Sequence, residues 1–266
     1  MNQNQPAKVV GLFLKTMTEA DMSVPANSLL QLKASYGIVD DSNASSISPR
    51  QLLVTCQEGL DEFDIVPGKL RENIAVQGLP KQVFVPGTQL SIGPDVKIRL
   101  TFYCEPCKRI EHFVPSLSAI HQKRGILGVV VQGGEVGIGD GVIGESNAYS
   151  PLSERAYERF LDFVKQIPAG KIVTYRHIIE AIGVTHSYYR ALPGYIKRTS
   201  PTEYPLHRIV DSKGHLILDY LPQQLSLLEA EGVEMETLFD LFGAVQDASV
   251  GGESYLWMEG NLYEGL

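Results

Sequence analysis

The spacing of apolar residues changes once along this chain, near residue 150, and no single layer of structure accommodates both patterns. Before that point apolar residues alternate or run in short stretches broken by glycine and proline: Lys8 to Thr16, Leu29 to Lys33, Gln51 to Thr55, Asn73 to Gln77, Gln89 to Ile92 and Val96 to Phe102. Such stretches are strands, and together they predict a barrel or curled sheet. Val129 to Gln132 and Glu135 to Gly144 are expected to end the series as a hairpin. From Ser153 the period is helical: Ser153 is placed as the N-cap of a face made by Tyr157, Phe160, Leu161 and Val164, and Pro168-Ala169-Gly170-Lys171 ends it. The polar segment Gly144 to Pro151 marks the boundary.

The helical half centres on Thr174 to Val210. Ile178, Ile179 and Ile182 form one apolar face, and Gly183 sits where a helix stops, so Tyr175 to Ile182 is predicted as one helix. Pro193 is tolerated only in a first turn, which starts the next helix near Tyr189 to Leu192 and runs it to Arg198. Arg190 then stands at its N-terminal edge, Lys197 and Arg198 on later turns, and Tyr195 and Ile196 toward the core. Two helices on a short turn are a helix-turn-helix, whose cations read either as a solvated face or as a phosphate contact.

Charge bears on that choice through its distribution. The whole chain is at −8, yet residues 151–218 hold ten Lys or Arg against six Asp or Glu, a balance of +4, while residues 219–266 hold ten acids and no Lys or Arg. A domain at +4 predicts modest, salt-sensitive affinity for nucleic acid. The three cysteines, Cys56, Cys104 and Cys107, are too few for a disulfide framework. No run is long and apolar enough to span a membrane, and the polar start lacks a secretion signal, so a cytoplasmic protein without membrane attachment is expected.

The order Tyr175, Arg190, Pro205-Leu206-His207-Arg208-Ile209-Val210, Gly214, Tyr220 and Leu227-Leu228-x-x-Glu231-Gly232 resembles the DNA-binding domain of the alkylguanine-DNA alkyltransferases. In that family a cysteine between the proline and the histidine takes the alkyl group. Leu206 stands there and has no nucleophilic atom, so the domain is more similar to the alkyltransferase-like proteins, which read the lesion and flag it for repair proteins. The resemblance implies DNA with alkylated guanine as partner. It gives Tyr175 the role of crowding a phosphate and turning the nucleotide out, and Arg190 that of filling the vacated stack. Arg176, Lys197 and Arg198 become further DNA contacts, and Leu206, His207, Arg208 and Tyr220 the lesion pocket. His207 and Glu231 resemble the pair that activates the cysteine; without it they are expected as hydrogen-bonded structure.

The first half carries a second resemblance. Gly37-Ile38-Val39-Asp40-Asp41, Arg50-Gln51, Pro67-Gly68-x-Leu70-Arg71-Glu72-Asn73-Ile74 and Cys104-Glu105-Pro106-Cys107, in that order, resemble a MOSC domain, the module at the C-terminus of molybdenum-cofactor sulfurases. The resemblance implies a β-barrel, a functional cysteine at Cys107, a pocket with Arg50, Arg71, Glu72, Asn73 and Lys108, and molybdenum cofactor (molybdopterin) as candidate ligand. Independently, Lys108 and Arg109 follow Cys107, and nearby cations favour thiolate; Arg71 is a further candidate charge. Cys104 is a candidate resolving partner. One C-x-x-C lacks the four ligands of structural zinc, so no metal is assigned to side chains alone.

The expected architecture is therefore α+β: a β-barrel-rich MOSC domain over 7–145, a linker over 146–152, a small winged helix-turn-helix-like domain over 153–236 and an acidic extension over 237–266. Within that extension a helix is predicted over Leu238 to Val245, with the end near Trp257 docked or frayed. The expected function is recognition of alkylated guanine without alkyl transfer, joined to a MOSC unit that uses Cys107 on a modified nucleobase, as a reductase of N-hydroxylated bases, or on molybdenum cofactor. The alternative is a molybdenum-cofactor sulfur-transfer enzyme whose C-terminal half is a scaffold.

Overall fold

The structure, a computed structural model, describes residues 6–18, 20–239, 245–251, 253–258 and 262–263. The chain divides into two compact units between Glu154 and Arg155.

The first unit is built from β1 (Lys8–Leu12), β2 (Leu29–Lys33), β3 (Gly37–Ile38), β4 (Leu52–Cys56), the short helix α1 (Gln57–Asp61), β5 (Ile74–Gln77), β6 (Gln89–Ile92), β7 (Val96–Tyr103), β8 (Ile126–Gln132), β9 (Gly134–Gly137) and β10 (Val142–Glu145). Seven strands form one sheet in the order β1-β5-β4-β8-β7-β6-β10. Its two edges meet: the Val142 N–H donates to Ala7 O at 2.8 Å and the Gly139 N–H to Val9 O at 2.9 Å, so the sheet curls into a barrel and pairs its own edges. Val54, Ile74, Val76, Leu90, Ile92, Ile98, Leu100 and Ile126 fill its interior. Residues of the expected linker lie on this unit, with Arg99 Nη2 donating to Ser150 O at 2.8 Å and Tyr149 Oη bonded to Gln89 Oε1 at 2.9 Å.

The hairpin expected at the end of the series does not form. β8 runs between β4 and β7, β9 leaves it to pair with β2, and β10 pairs with β6. Gly133 makes the departure possible, because a Cβ there would stand 2.5 Å from Leu32 O, closer than any side chain allows.

The second unit holds α2 (Ala156–Val164), β11 (Val173–Thr174), α3 (Tyr175–Ala181), α4 (Leu192–Arg198), β12 (Ile209–Val210), α5 (Gln224–Ala230), β13 (Met235–Phe239) and β14 (Val245–Val250). β11 and β12 pair in parallel. Of the expected face Phe160 and Val164 of α2 are buried and Tyr157 and Leu161 half-buried, while Phe163, outside that face, is buried too; Arg155 rather than Ser153 occupies the N-cap and makes no side-chain capping bond.

The helix expected over Leu238 to Val245 lies partly outside the described residues, and its described ends are strands. β13 and β14 pair antiparallel, and the Leu216 N–H donates to Ala248 O at 2.9 Å, so β14 serves two neighbours at once. A lone eight-residue helix is marginal without packing, and here two backbone partners are available instead. Met235, Val250, Tyr255 and Leu256 pack on the cluster of Ile172, Val210, Leu228 and Val233. The Ile172 N–H donates to Tyr255 O at 2.9 Å, the Trp257 N–H to Ile172 O at 2.8 Å, and the Trp257 ring stacks on Phe163 at 5.7 Å. The described stretch from Tyr255 to Trp257 is thus docked on its own unit. None of the described helices is long and apolar enough to cross a membrane.

Trp257 is half-buried, so Trp257→Ala is expected to cost this unit about 2 kcal/mol, below the range for a fully buried ring. Calorimetry of the full chain checks this: one transition falls in temperature while that of the barrel unit stays in place.

Candidate nucleic-acid interface and thiol site

In the second unit Thr174 caps α3, its Oγ1 accepting from the His177 N–H at 3.2 Å, which sets Tyr175 on the first turn. Gly183, at φ +64°, ends the helix, and a 3-10 turn over His186–Arg190 leads into α4, with Pro193 in its first turn. The helix-turn-helix therefore has the bounds its sequence predicts. Leu192 and Ile196 face the core, and Tyr195 packs edge-on against Tyr157 at 5.2 Å. Arg176, Arg190, Gly194, Lys197 and Arg198 are exposed.

These cations differ in what holds them. Arg198 lies 3.6 Å over the Tyr157 ring and Lys197 4.7 Å over that of Tyr220. Arg190 makes no ion pair with a described residue. Burial raises the Tyr175 hydroxyl to about 12, with Tyr220 and Asp211 adding to it.

Leu206 is fully buried, at the head of a 3-10 turn over Leu206–Arg208. Behind it Glu231 gathers three segments. His207 Nε2 lies 2.9 Å from Glu231 Oε1, Arg208 Nη2 donates to the same oxygen at 2.6 Å, and the Gly170 N–H donates to Oε2 at 2.9 Å. Burial pushes the carboxyl up, but these bonds outweigh it and hold it at about 2. Two residues that no motif indicates complete the frame. Gln224, fully buried, accepts from the Ile217 N–H at 2.7 Å and donates to Ile209 O at 2.6 Å; Arg159 Nε donates to Ile182 O at 2.7 Å. The only sequence signal for Arg159 is a cation on the buried face of an otherwise amphipathic helix.

In the first unit Cys107 is half-exposed and free, at the head of a 3-10 turn over Lys108–Phe113. Cys104 is buried and also free, and burial pushes the Cys56 thiol up, with Glu58 adding. The cation at the sulfur differs from those the sequence suggests. Lys108 and Arg109 are exposed, and Arg71 Nη2 bonds Ala20 O at 3.3 Å, whereas Arg124, 6% exposed, points Nη1 at Cys107 Sγ at 3.4 Å. Arg124 lies 17 residues from Cys107 in sequence, and only the pairing of β7 with β8 brings it near. Gly125 fixes the approach: its φ is +124° and a Cβ would stand 2.5 Å from Val54 O.

Arg71 itself has φ +67°, a strained value for a residue with a side chain. Glu72, fully buried beside it, accepts from the Gly68 N–H at 2.7 Å, and burial raises its carboxyl against that bond and the Arg124 charge. Asn73 is structural, bonding Leu53 N at 3.0 Å and Asp41 Oδ2 at 2.9 Å. Arg50 is half-buried in the loop entering β4.

The DNA-binding domain of 6-O-methylguanine DNA methyltransferase matches residues 155–233 and the MOSC domain residues 38–143. Alkyltransferase-like protein 1 of Schizosaccharomyces pombe is 36% identical over 84 residues, covering 30% of this chain and 77% of that protein. The chain belongs to the alkyltransferase-like family. It also carries a MOSC domain. Among solved structures, S. pombe Atl1 in complex with damaged DNA containing O6-carboxymethylguanine is 30% identical, covering 40% of this chain and 96% of that one, with TM-score 0.33. The YUAD protein of Bacillus subtilis is 19% identical, covering 52% and 94%, with TM-score 0.45.

The alkyltransferase-like unit should be acid-sensitive through Glu231. Its folded value near 2 lies below the ordinary 4.5, so its stabilisation is complete above pH 4.5 and is lost as the pH falls toward 2. Glu231→Gln is expected to cost about 2 kcal/mol at neutral pH, the worth of charged hydrogen bonds, and to flatten the acid slope. Fluorescence of the one tryptophan, Trp257, during acid and urea titration reads both effects.

Proposed function

We propose that the alkyltransferase-like unit binds duplex DNA carrying alkylated guanine and marks the lesion without taking the alkyl group. The MOSC unit then acts through Cys107 on a modified nucleobase or on molybdenum cofactor. One observation carries the first part: fully buried Leu206 replaces the acceptor atom, while the His207–Glu231 pair that would serve such an acceptor remains hydrogen-bonded. An aliphatic side chain cannot be alkylated under these conditions, so recognition is the activity left.

In this reading Tyr175 and Arg190 turn the nucleotide out and fill its place, offsetting an extrusion cost of a few kcal/mol. Arg176, Lys197 and Arg198 contact phosphates, and Leu206 and Tyr220 line the pocket for the extruded base. Gly194 supports a closely approached helix face. It sits within α4, where glycine costs about 1 kcal/mol relative to alanine, yet a Cβ there would meet nothing within 4 Å. No contact with a described residue requires it, whereas an arriving DNA backbone would.

For the MOSC unit, the donor set at Cys107 fits molybdenum cofactor: a half-exposed thiol sulfur, a buried guanidinium at 3.4 Å and exposed Lys108 and Arg109. Cys107 would hold the metal-bearing group, and Lys108 and Arg109 would attract the cofactor's phosphate. Bound there, the cofactor would supply redox or sulfur-transfer chemistry.

Fluorescence anisotropy with matched duplexes tests the DNA reading. The duplex with one O6-methylguanine is expected to bind about tenfold more tightly than the unmodified one, a difference of about 1.4 kcal/mol. Arg190→Ala should erase the difference, and equal binding of the two duplexes by the wild-type protein refutes the reading. Gly194→Leu should weaken both duplexes alike, while Gly194→Ala raises thermal stability by up to about 1 kcal/mol.

A further inference from the structure

The guanidinium of Arg124 is buried without an ion pair to any described carboxylate. Its Nη1 donates to Glu105 O and to Cys107 Sγ and its Nη2 to Leu70 O, two backbone carbonyls and a thiol. No described carboxylate pairs with it, and its Nε has no partner among the described residues. Glu72, whose carboxyl feels the Arg124 charge, is fully buried, uses one oxygen on the Gly68 N–H and leaves Oε2 without a partner among the described residues. Burying a charge in this way is costly unless something compensates it. Lys108 and Arg109 add positive charge outside, opposed by exposed Glu105 and Glu111.

We propose that Arg124 is the positioning residue of the thiol site, fixing Cys107 Sγ and making the site a receptor for small anionic partners, sulfur or oxygen anions, in preference to neutral ones. The inference rests on the reading that Cys107 is the working atom of the MOSC unit. An anion arriving at Sγ meets a charge held at 3.4 Å from that sulfur in surroundings of low dielectric, where attraction is weakly screened. The position is set in advance, because Gly125 pins the chain against β4 and leaves Arg124 little freedom to turn away. Neutral N-hydroxylated bases gain nothing from such a charge, whereas a sulfur anion or a phosphate-bearing cofactor does.

Alkylation of Cys107 in the full chain tests this, with iodoacetate and iodoacetamide compared at one pH and low salt and the Cys107 peptide followed by mass spectrometry. In both reactions the thiolate sulfur displaces iodide, so the ratio of the two rates cancels the ionisation of the thiol and reports the charge beside it. The iodoacetate-to-iodoacetamide ratio is expected to be about fivefold higher in the folded protein than in the same protein unfolded in urea. Arg124→Gln should remove that gain, Arg124→Lys should restore most of it, and K108Q with R109Q should leave most of it. A folded ratio no higher than the unfolded one overturns the proposal, whether or not the Arg124→Gln variant folds; so does a folded Arg124→Gln protein that keeps the wild-type ratio. If the ratio fails while Cys107→Ser still abolishes cofactor binding, only the role of Arg124 falls. If the ratio holds and Cys107→Ser changes nothing in cofactor binding or reaction, the reading of Cys107 falls instead.

Discussion

The carboxylate of Glu231 is the tie on which the second unit depends. It stands at the C-terminal end of α5 and accepts from His207, Arg208 and the Gly170 backbone, so one side chain fixes the 3-10 turn bearing Leu206, the turn before β11 and the helix behind both. A carboxylate with so many donors is rigid, since moving any one segment leaves a half-buried charge with fewer partners. Arg208 also bonds Ile167 O at 2.6 Å, and buried Gln224 stitches Ile209 and Ile217 from the other side. The turn bearing Leu206 is therefore firmly held on both sides.

Much of this was legible in the sequence because it rests on local rules. Gly183 and Pro193 punctuate helices for reasons intrinsic to their backbones, and the helix-turn-helix follows them closely. The alternation from Lys8 to Phe102 likewise yields strands, since period two leaves a chain few other ways to bury one face. What the sequence hid is long-range. β9 looks like the return arm of a hairpin until the close approach of Leu32 O to Gly133 sends it to another sheet, and nothing near Gly133 announces that neighbour. The segment after Glu236 misled in the same way, because its apolar residues suit a helix while the free edge offered by residues 214–216 pairs with its described part as a strand.

The site residues divide along the same line. Cys107, Tyr175 and Leu206 stand in local motifs and could be named from them. Arg124 could not, for its relation to Cys107 exists only after β7 and β8 have paired, and adjacent Lys108 and Arg109 offered a simpler source of charge that the fold turns to solvent. Proximity in sequence is a poor guide to the field at a side chain, because one buried charge outweighs exposed ones in a higher dielectric.

The two units put buried polar groups to opposite uses. Around Leu206 the polar groups named above are paired, and a network of that kind makes a fixed surface. Around Cys107 the pairing is left incomplete: Arg124 Nε and Glu72 Oε2 have no partners among the described residues, and Arg71 holds a left-handed backbone between Leu70 and Glu72. Each unmet buried group costs about 1–3 kcal/mol, and left-handed strain costs a similar amount. Costs of this kind persist where an incoming group can relieve them, which is what supports the proposed reaction at Cys107.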